Sequence, residues 1–181
     1  IAKEREQSKR EVAIAKELRK QGAQIGMGGI WHSVGMGPNE SQGWRANFIR
    51  KVLGERILLI ARFNPDFKDL APLADLKNLQ ELSLRENPIR DLAPLASLKT
   101  LRWLVLDGTL ANDLAPLAGL KNLTYLGLSG TPIRDLTPLA GLKNLKELYL
   151  RGTHVSDFAP LAGLKNLQLL VLDGTQISDL T

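Results

Sequence analysis

A 22-residue period is the feature of this 181-residue chain that most constrains its fold. Five units follow one another without an insertion, and the last one is incomplete: LKNLQELSLRENPIRDLAPLAS, LKTLRWLVLDGTLANDLAPLAG, LKNLTYLGLSGTPIRDLTPLAG, LKNLKELYLRGTHVSDFAPLAG and LKNLQLLVLDGTQISDLT. A less regular unit precedes them. One such unit cannot bury its own leucines, so the units must stack as the coils of a solenoid. The period predicts an array of about six coils over residues 54–181.

Each unit predicts one short strand followed by one short helical turn. In LxxLxL the second and third leucines alternate with exposed residues, as in a strand with one buried face. Three residues later stands Asn87 or, in the other units, Thr, whose side chain can bond the backbone where the strand ends. A recurring Asp suits a helix N-cap, and Pro fits the first turn. The turn is too short for an α-helix, so we expect 3-10-like geometry.

The strand register of the first coil has two alternatives. A strict 22-residue spacing places Ile57 and Ile60 in the leucine columns but puts Arg62 where a buried Leu belongs. Pairing Leu59, Ala61 and Asn64 with the columns of the later units instead needs one extra residue. Because a slip of one residue exchanges the two faces of a strand, the sequence leaves the choice open.

The repeat pattern resembles the short, 22-residue class of leucine-rich repeats found in bacterial internalins and in the eukaryotic phosphatase-regulatory repeat protein. The motifs LxxLxLxxN/TxI and DLxPLAxLKNL carry this resemblance over roughly residues 54–181. It implies an α/β fold, a right-handed solenoid with parallel β-strands on its concave face and 3-10-like turns on its convex face. It also implies protein recognition as the usual task, and bacterial relatives.

The N-terminal region, residues 1–53, predicts a small helical cap or linker. Residues 2–21 consist of good helix formers, and Gly22 is placed as a stop. Residues 22–43 contain seven glycines and no regular period, which predicts a loop. Residues 44–53 again have helical spacing of apolar residues, and we expect this second helix to cover the exposed edge of the first coil.

Catalytic and cofactor chemistry finds no support in the sequence. Cysteine is absent, which removes disulfides and thiolate sites. The glycine-rich residues 26–29 lack the Lys-Ser/Thr of a phosphate-binding loop. No further ligands are spaced with His32 or His154, and Asp107 and Asp173 should lie about 14 Å apart, three coils away from each other. We therefore predict no metal, no cofactor and no enzymatic activity.

The net charge of +5 comes entirely from the N-terminal region. Residues 1–53 hold ten cationic and five acidic residues, whereas residues 54–181 hold fourteen of each. The cationic residues alternate with acids in KEREQSKRE, which is typical of a solvated helix face. The basic balance therefore does not predict a nucleic-acid partner, and no apolar run is long enough for a membrane span.

The candidate binding site comes from comparing the coils with one another. The residues that alternate with the strand leucines differ from coil to coil, so stacking does not dictate them, and they face the predicted concave side. Exposed Trp and Tyr beside Arg are typical of binding hot spots, although aromatic residues can also form cross-strand ladders that only stabilise a sheet. We predict that ten of these residues bind a protein partner: Trp103, Tyr125, Tyr149, Val105, Leu169, Val171, Arg85, Arg151, Asp107 and Asp173. Gly127 at their centre predicts a shallow pocket.

The leading functional hypothesis is therefore a protein-interaction module within a larger protein. The alternatives are a structural or assembly spacer and the regulatory arm of an enzyme whose catalytic domain lies elsewhere. The chain stops in mid-repeat at Thr181 with leucines that have no successor coil. We expect further repeats, a partner or a second copy to cover that edge, because an open strand edge promotes association. The sequence leaves the cellular compartment open.

Overall fold

The structure is a computed structural model that describes residues 23–27, 57–61 and 69–175. Its seven strands form one sheet in chain order from β1 to β7. Strands β2 to β7 pair in parallel, and β1 pairs antiparallel with β2 at the edge. The strands are β1 (Ala23–Met27), β2 (Ile57–Ala61), β3 (Leu79–Ser83), β4 (Trp103–Val105), β5 (Tyr125–Gly127), β6 (Glu147–Tyr149) and β7 (Leu169–Val171).

A short 3-10 helix separates each strand from the next along the array, as the sequence predicted. Each of these helices has Pro in its first turn, where no backbone hydrogen bond is lost. The five are η1 (Ala71–Asp75), η2 (Ala93–Ser97), η3 (Ala115–Leu117), η4 (Thr137–Leu139) and η5 (Ala159–Leu161). Strands and 3-10 helices thus alternate with the period of the sequence, and the fold is a leucine-rich-repeat solenoid.

The recurring Asp accepts a hydrogen bond from the first amide of each 3-10 helix. In η2, for example, the Ala93 amide donates to Asp91 Oδ1 at 2.8 Å, and the same bond recurs in every coil from Asp69 to Asp157. The sequence predicted this hydrogen bond but placed the Asp at the N-cap itself. That placement is wrong by one residue, because Leu92 occupies the N-cap of η2. The Asp stands one residue earlier and closes a turn onto the amide two residues ahead.

The core is a continuous stack of leucines between the strands and the 3-10 helices. On β4 and β5, Leu104 and Leu126 have no exposed surface, and neither do Leu106 and Leu128 just after these strands. The predicted burial of the leucine columns is therefore confirmed, but the residues between them on β4 and β5, Val105 and Gly127, are buried as well. The coil of β7 is less covered, since Leu167, Leu170 and Leu172 are only partly buried.

The polar column at the strand ends is buried and hydrogen-bonded. The Thr109 hydroxyl donates to the Leu106 carbonyl at 2.7 Å, and the Asn87 side-chain amide donates to two carbonyls, those of Leu84 and Arg85. Both residue types were expected to bond the backbone here, and Asn satisfies one more carbonyl than Thr does.

The register of the first coil follows the alternative with one extra residue. Leu59 pairs with Leu82 and Ile60 with Ser83, after a register shift between Ile57 and Leu58. The shift aligns Leu59 of β2 with the leucine column of the later strands. The structure thus decides a choice that the sequence left open.

The prediction of a loop over residues 22–43 is wrong for residues 23–27, which form β1. Its backbone pairs with the outer edge of β2, from Ala23 opposite Ala61 to Met27 opposite Ile57. Pairing satisfies hydrogen-bonding groups that an edge strand would otherwise expose, and this outweighs the weak strand preference of a glycine-containing segment. The rest of 22–43, the two predicted N-terminal helices and residues 176–181 lie outside the described residues.

Within the described part of the chain, the only helices are the short 3-10 turns, and none could cross a bilayer.

Candidate recognition surface

The predicted site lies on the face of the sheet opposite the leucines, in three rows that run across the strands. Parallel pairing places Trp103 beside Tyr125, and Val105 beside Gly127. We call these three rows the concave strip, after the side they occupy in solenoids of this class. Its first row is Glu81, Trp103, Tyr125, Glu147 and Leu169. Its second row is Ser83, Val105, Gly127, Tyr149 and Val171. Its third row is Arg85, Asp107, Ser129, Arg151 and Asp173.

Three aromatic rings of the concave strip form a continuous ladder. The Trp103 and Tyr125 rings stack with centroids 5.1 Å apart and an interplanar angle of 28°. Tyr125 and Tyr149 are also 5.1 Å apart, at 36°. Tyr149 belongs to the second row, where it pairs with Gly127, so its ring meets that of Tyr125 diagonally across the two strands. The sequence grouped these three residues correctly.

A hydrogen bond orients the last ring of the aromatic ladder. The Tyr149 hydroxyl donates to Glu147 Oε2 at 3.0 Å. This bond to an acidic acceptor, together with burial, raises the pKa of Tyr149. Burial raises the pKa of Tyr125 to about 12, with further contributions from Tyr149, Asp107 and Glu147. Both hydroxyls are therefore protonated at neutral pH and can donate hydrogen bonds. Sequence reasoning left Glu147 out of the site, although its place beside Tyr125 in the first row was a usable signal.

The predicted pocket at Gly127 is wrong, because the side chain of Asp107 fills it. Asp107 Oδ1 accepts a hydrogen bond from the Ser129 amide in the next coil at 2.8 Å. A Cβ atom added to Gly127 would lie 2.9 Å from this oxygen. Glycine at 127 thus makes room for a carboxylate that links two coils. Burial raises the pKa of Asp107, although the Ser129 bond and the nearby Arg85 oppose the shift.

The expectation that Val105 is exposed is also wrong, since only 5 % of its surface is accessible. Its neighbours along the strand on the same face are Trp103 and Asp107, and both extend toward the next coil. Val105 therefore offers little surface to a partner.

The remaining predicted residues surround the aromatic ladder and are open to solvent to different degrees. Leu169 is 42 % exposed, one of two large apolar side chains with such exposure in the described residues, and Val171 beside it is half-buried. Arg85 is exposed and forms an ion pair with the exposed Glu86 at 3.2 Å. Arg151 and Asp173 are exposed as well. The surface therefore has an aromatic and apolar centre with charged residues along one side.

The described residues do not assemble a metal site. In residues 69–175, no three His, Asp or Glu side chains come close enough together to hold an ion. His154 is an exposed loop residue whose backbone amide donates to the Ile133 carbonyl. His32 and the glycine-rich residues 28 and 29 fall outside the described part of the chain.

Comparison with known proteins agrees with this architecture. A family model described as "Leucine Rich repeats (2 copies)" matches residues 143–181. No curated protein matches the sequence. Among solved structures, the chain is similar to internalin C2 of Listeria monocytogenes, with 39 % identity and a TM-score of 0.60 over 64 % of this chain and 51 % of that one.

Two further bacterial structures are similar over a comparable share of the chain. An internalin of Listeria monocytogenes, inlF, is 34 % identical with a TM-score of 0.61, over 62 % of this chain and 33 % of that one. A leucine-rich-repeat protein of Leptospira interrogans is 33 % identical with a TM-score of 0.58, over 61 % and 29 %. The chain thus spans about half or less of the length of these proteins.

The chain therefore has the fold of a leucine-rich-repeat solenoid, and leucine-rich-repeat domains generally mediate protein–protein recognition. Within that class it is internalin-like and similar to bacterial members.

Proposed function

We propose that the chain recognises a protein partner through the concave strip. The observation that carries this proposal is the aromatic ladder of Trp103, Tyr125 and Tyr149. Aromatic side chains offer a large contact area at low entropic cost, and Tyr and Trp dominate the binding energy of many interfaces. Stacking holds these rings in place before a partner arrives, which reduces the ordering cost of association.

The surroundings of the aromatic ladder support specific recognition and not merely adhesion. Arg85 and Arg151 provide planar donors for carboxylates of a partner, and Asp173 provides an acceptor. Asp107 is already committed to the Ser129 amide, so we assign it a positioning role. Val105 is withdrawn from the proposed contact residues because it is buried.

Selection from a displayed library of proteins tests the proposal. The whole chain serves as bait, and each selected partner is measured by calorimetry against Trp103→Ala, Tyr149→Ala and Leu169→Ala. We expect each substitution to weaken binding by about 2 kcal/mol or more if the residue is a hot spot. His154→Ala, which removes an exposed side chain outside the concave strip, is the matched control and should leave the affinity unchanged.

The same variants separate recognition from simple sheet stabilisation. If selected partners bind the three variants as tightly as the unsubstituted chain while the free energy of unfolding falls, the aromatic ladder is only a structural cross-strand device. The proposal would then be wrong.

A further inference from the structure

A second surface of the array is strongly basic although the array as a whole is neutral. Residues 69–175 contain eleven cationic and eleven acidic side chains. The segments that connect each 3-10 helix to the next strand hold seven of these cations and no acidic residue. Five exposed lysines recur once per coil, and we call them the lysine row: Lys77, Lys99, Lys121, Lys143 and Lys165. Exposed Arg102 and Lys146 stand immediately before β4 and β6.

Hydrogen bonds between coils hold the backbone of the lysine row in register. The Asn122 side-chain amide donates to the Lys99 carbonyl at 2.8 Å, and Asn144 and Asn166 repeat this bond one and two coils further along. Thr100 does the same to the Lys77 carbonyl. The lysines therefore follow one another at the spacing of adjacent strands, about 4.8 Å. Four such steps extend the row over about 19 Å.

Three ammonium groups of the row lie against a glycine about 20 residues further along the chain. Lys143 Nζ donates to the Gly163 carbonyl at 3.0 Å. A Cβ atom added at Gly119 or Gly141 would collide with the ammonium group of Lys99 or Lys121, so glycine makes room for it. An ammonium has three donors, and one bond to a carbonyl leaves two for a ligand. A lysine that is already ordered loses less rotamer entropy when it binds.

The side chains that lie between the lysines indicate which class of ligand fits the lysine row. The amide oxygens of Asn122, Asn144 and Asn166 accept no hydrogen bond within the described part of the chain, so they can accept one from a hydroxyl. Cationic donors thus alternate with neutral acceptors, which suits a polymer that carries both anionic groups and hydroxyls. The connecting segments contain no aromatic residue on which a nucleobase could stack, which disfavours single-stranded nucleic acid. A DNA backbone has no hydroxyl groups for the asparagines.

We propose that the lysine row binds a linear acidic polysaccharide, with its carboxylate or sulfate groups on the lysines and its hydroxyls on the asparagine amide oxygens. This site lies on a different surface from the concave strip and does not depend on it. A polymer that lies along the row contacts several coils at once, so the affinity is the sum of several weak charge contacts and depends strongly on salt.

Heparin, a carboxylated and sulfated polysaccharide, is the probe, and the whole chain is used. The test variant Lys99→Gln/Lys121→Gln is compared with Arg90→Gln/Arg134→Gln, which removes the same charge from exposed positions on the other side of the strands. We expect the lysine variant to bind heparin about tenfold more weakly. The slope of log affinity against log salt should become shallower by about two, one for each lost contact. The arginine variant should retain nearly full affinity. Thermal unfolding checks that both variants fold.

Three further measurements identify the class of ligand and locate its binding site. Neutral dextran should not bind, and a DNA duplex should bind more weakly than heparin at equal charge concentration. Trp103→Ala should leave heparin binding unchanged, which separates this site from the concave strip. Equal losses in the lysine and arginine variants, or none in either, would assign heparin binding to overall charge or to the basic residues 1–53 and overturn the proposal. Preferential binding of DNA by the lysine row would overturn the polysaccharide assignment.

Discussion

The two faces of strands β3 to β6 follow different rules. On the core face every coil presents Leu at the same two positions, and those side chains are fully buried. On the concave strip the coils differ, with Ser83, Val105, Gly127 and Tyr149 at a single equivalent position. Identical coils must fit one another along the stack, so the core face is constrained by packing. The opposite face carries no such constraint and is free to hold a recognition surface.

The difference is not absolute, because part of the concave strip also joins coils together. Asp107 bonds the Ser129 amide, and the rings of Trp103, Tyr125 and Tyr149 stack across three strands. Variation between coils therefore identifies residues that the repeat does not require, but some of those residues contribute to stability as well as to binding. The following predictions test how cleanly the two contributions separate.

The largest loss of stability is expected from the core face. Leu126→Ala removes a fully buried side chain at the centre of β5 and leaves a cavity between two coils. The free energy of unfolding should fall by about 2 to 5 kcal/mol, as measured by urea denaturation. Leu126→Met, which conserves volume, should cost less than about 1.5 kcal/mol. A loss from Leu126→Ala below that of the Met variant would show that the core face is not the main source of stability.

An intermediate effect is expected from the middle of the aromatic ladder. Tyr125→Ala breaks both ring contacts at once, each worth about 0.5 to 1.5 kcal/mol. The free energy of unfolding should fall by about 1 to 3 kcal/mol, the sum of the two ring contacts, and the free energy of binding to a selected partner should fall by about 2 kcal/mol or more. A calorimetric titration beside a urea denaturation series measures both. If Tyr125→Ala lowered the free energy of unfolding as much as Leu126→Ala does, the concave strip would contribute to stability in the same way as the core face.

A smaller effect is expected from the turns that start the 3-10 helices. Asp113→Ala removes the acceptor of the Ala115 amide and should destabilise the array by about 1 kcal/mol, similar to the loss of a helix cap. Asp113→Asn retains an acceptor oxygen, so it should lose less stability than Asp113→Ala does. Partner binding should be unaffected by either change, because this turn lies away from the concave strip. Thermal denaturation with a binding assay on the same samples provides the measurement.

The smallest expected effect is on the pH dependence of stability, which should have opposite signs for Asp107 and Asp135. Burial raises the pKa of Asp107 above its ordinary value of 3.8, so the folded state holds this proton more tightly than the unfolded chain. Its contribution to stability is therefore largest below pH 3.8 and declines as the pH rises through its raised pKa. Asp107→Asn keeps the acceptor for Ser129 without the buried charge, so its stability relative to the unsubstituted chain should increase from pH 3 to pH 7.

Asp135 should show the opposite sign. Hydrogen bonds from the Thr137 hydroxyl and amide lower its pKa below 3.8, so its stabilising contribution is present above that value and declines as the pH falls through the lowered pKa. Asp135→Asn should lose relative stability from pH 3 to pH 7. Urea denaturation at several pH values measures both variants, and slopes of the same sign would contradict the assignment.

The sequence alone predicted most of the array. The leucine columns, the 3-10 geometry, the buried Thr and Asn positions and the grouping of Trp103 with Tyr125 and Tyr149 all follow from a fixed period, because equivalent residues in stacked coils must be neighbours. The function of the concave strip stays a proposal, as do the domain boundaries at residues 53 and 54.

Sequence reasoning failed where a side chain or a segment makes a contact outside its own column. Val105 was expected to be exposed and Gly127 to form a pocket, because the period places residues in rows but does not say which way a side chain leans. Asp107 leans into the next coil because the Ser129 amide offers a hydrogen bond there. The strand over residues 23–27 was missed because its pairing with β2 joins residues far apart in the chain.

The sequence by itself therefore determined the stack of coils and which residues face its core, since a 22-residue period of leucines has one efficient way to bury them. Only the tertiary structure decided the register of the first coil, the antiparallel strand at its edge and the place of Asp107 above Gly127. Those features depend on distances between residues of different coils. A periodic pattern does not give these distances, whereas a hydrogen bond forms only when its donor and acceptor lie about 3 Å apart.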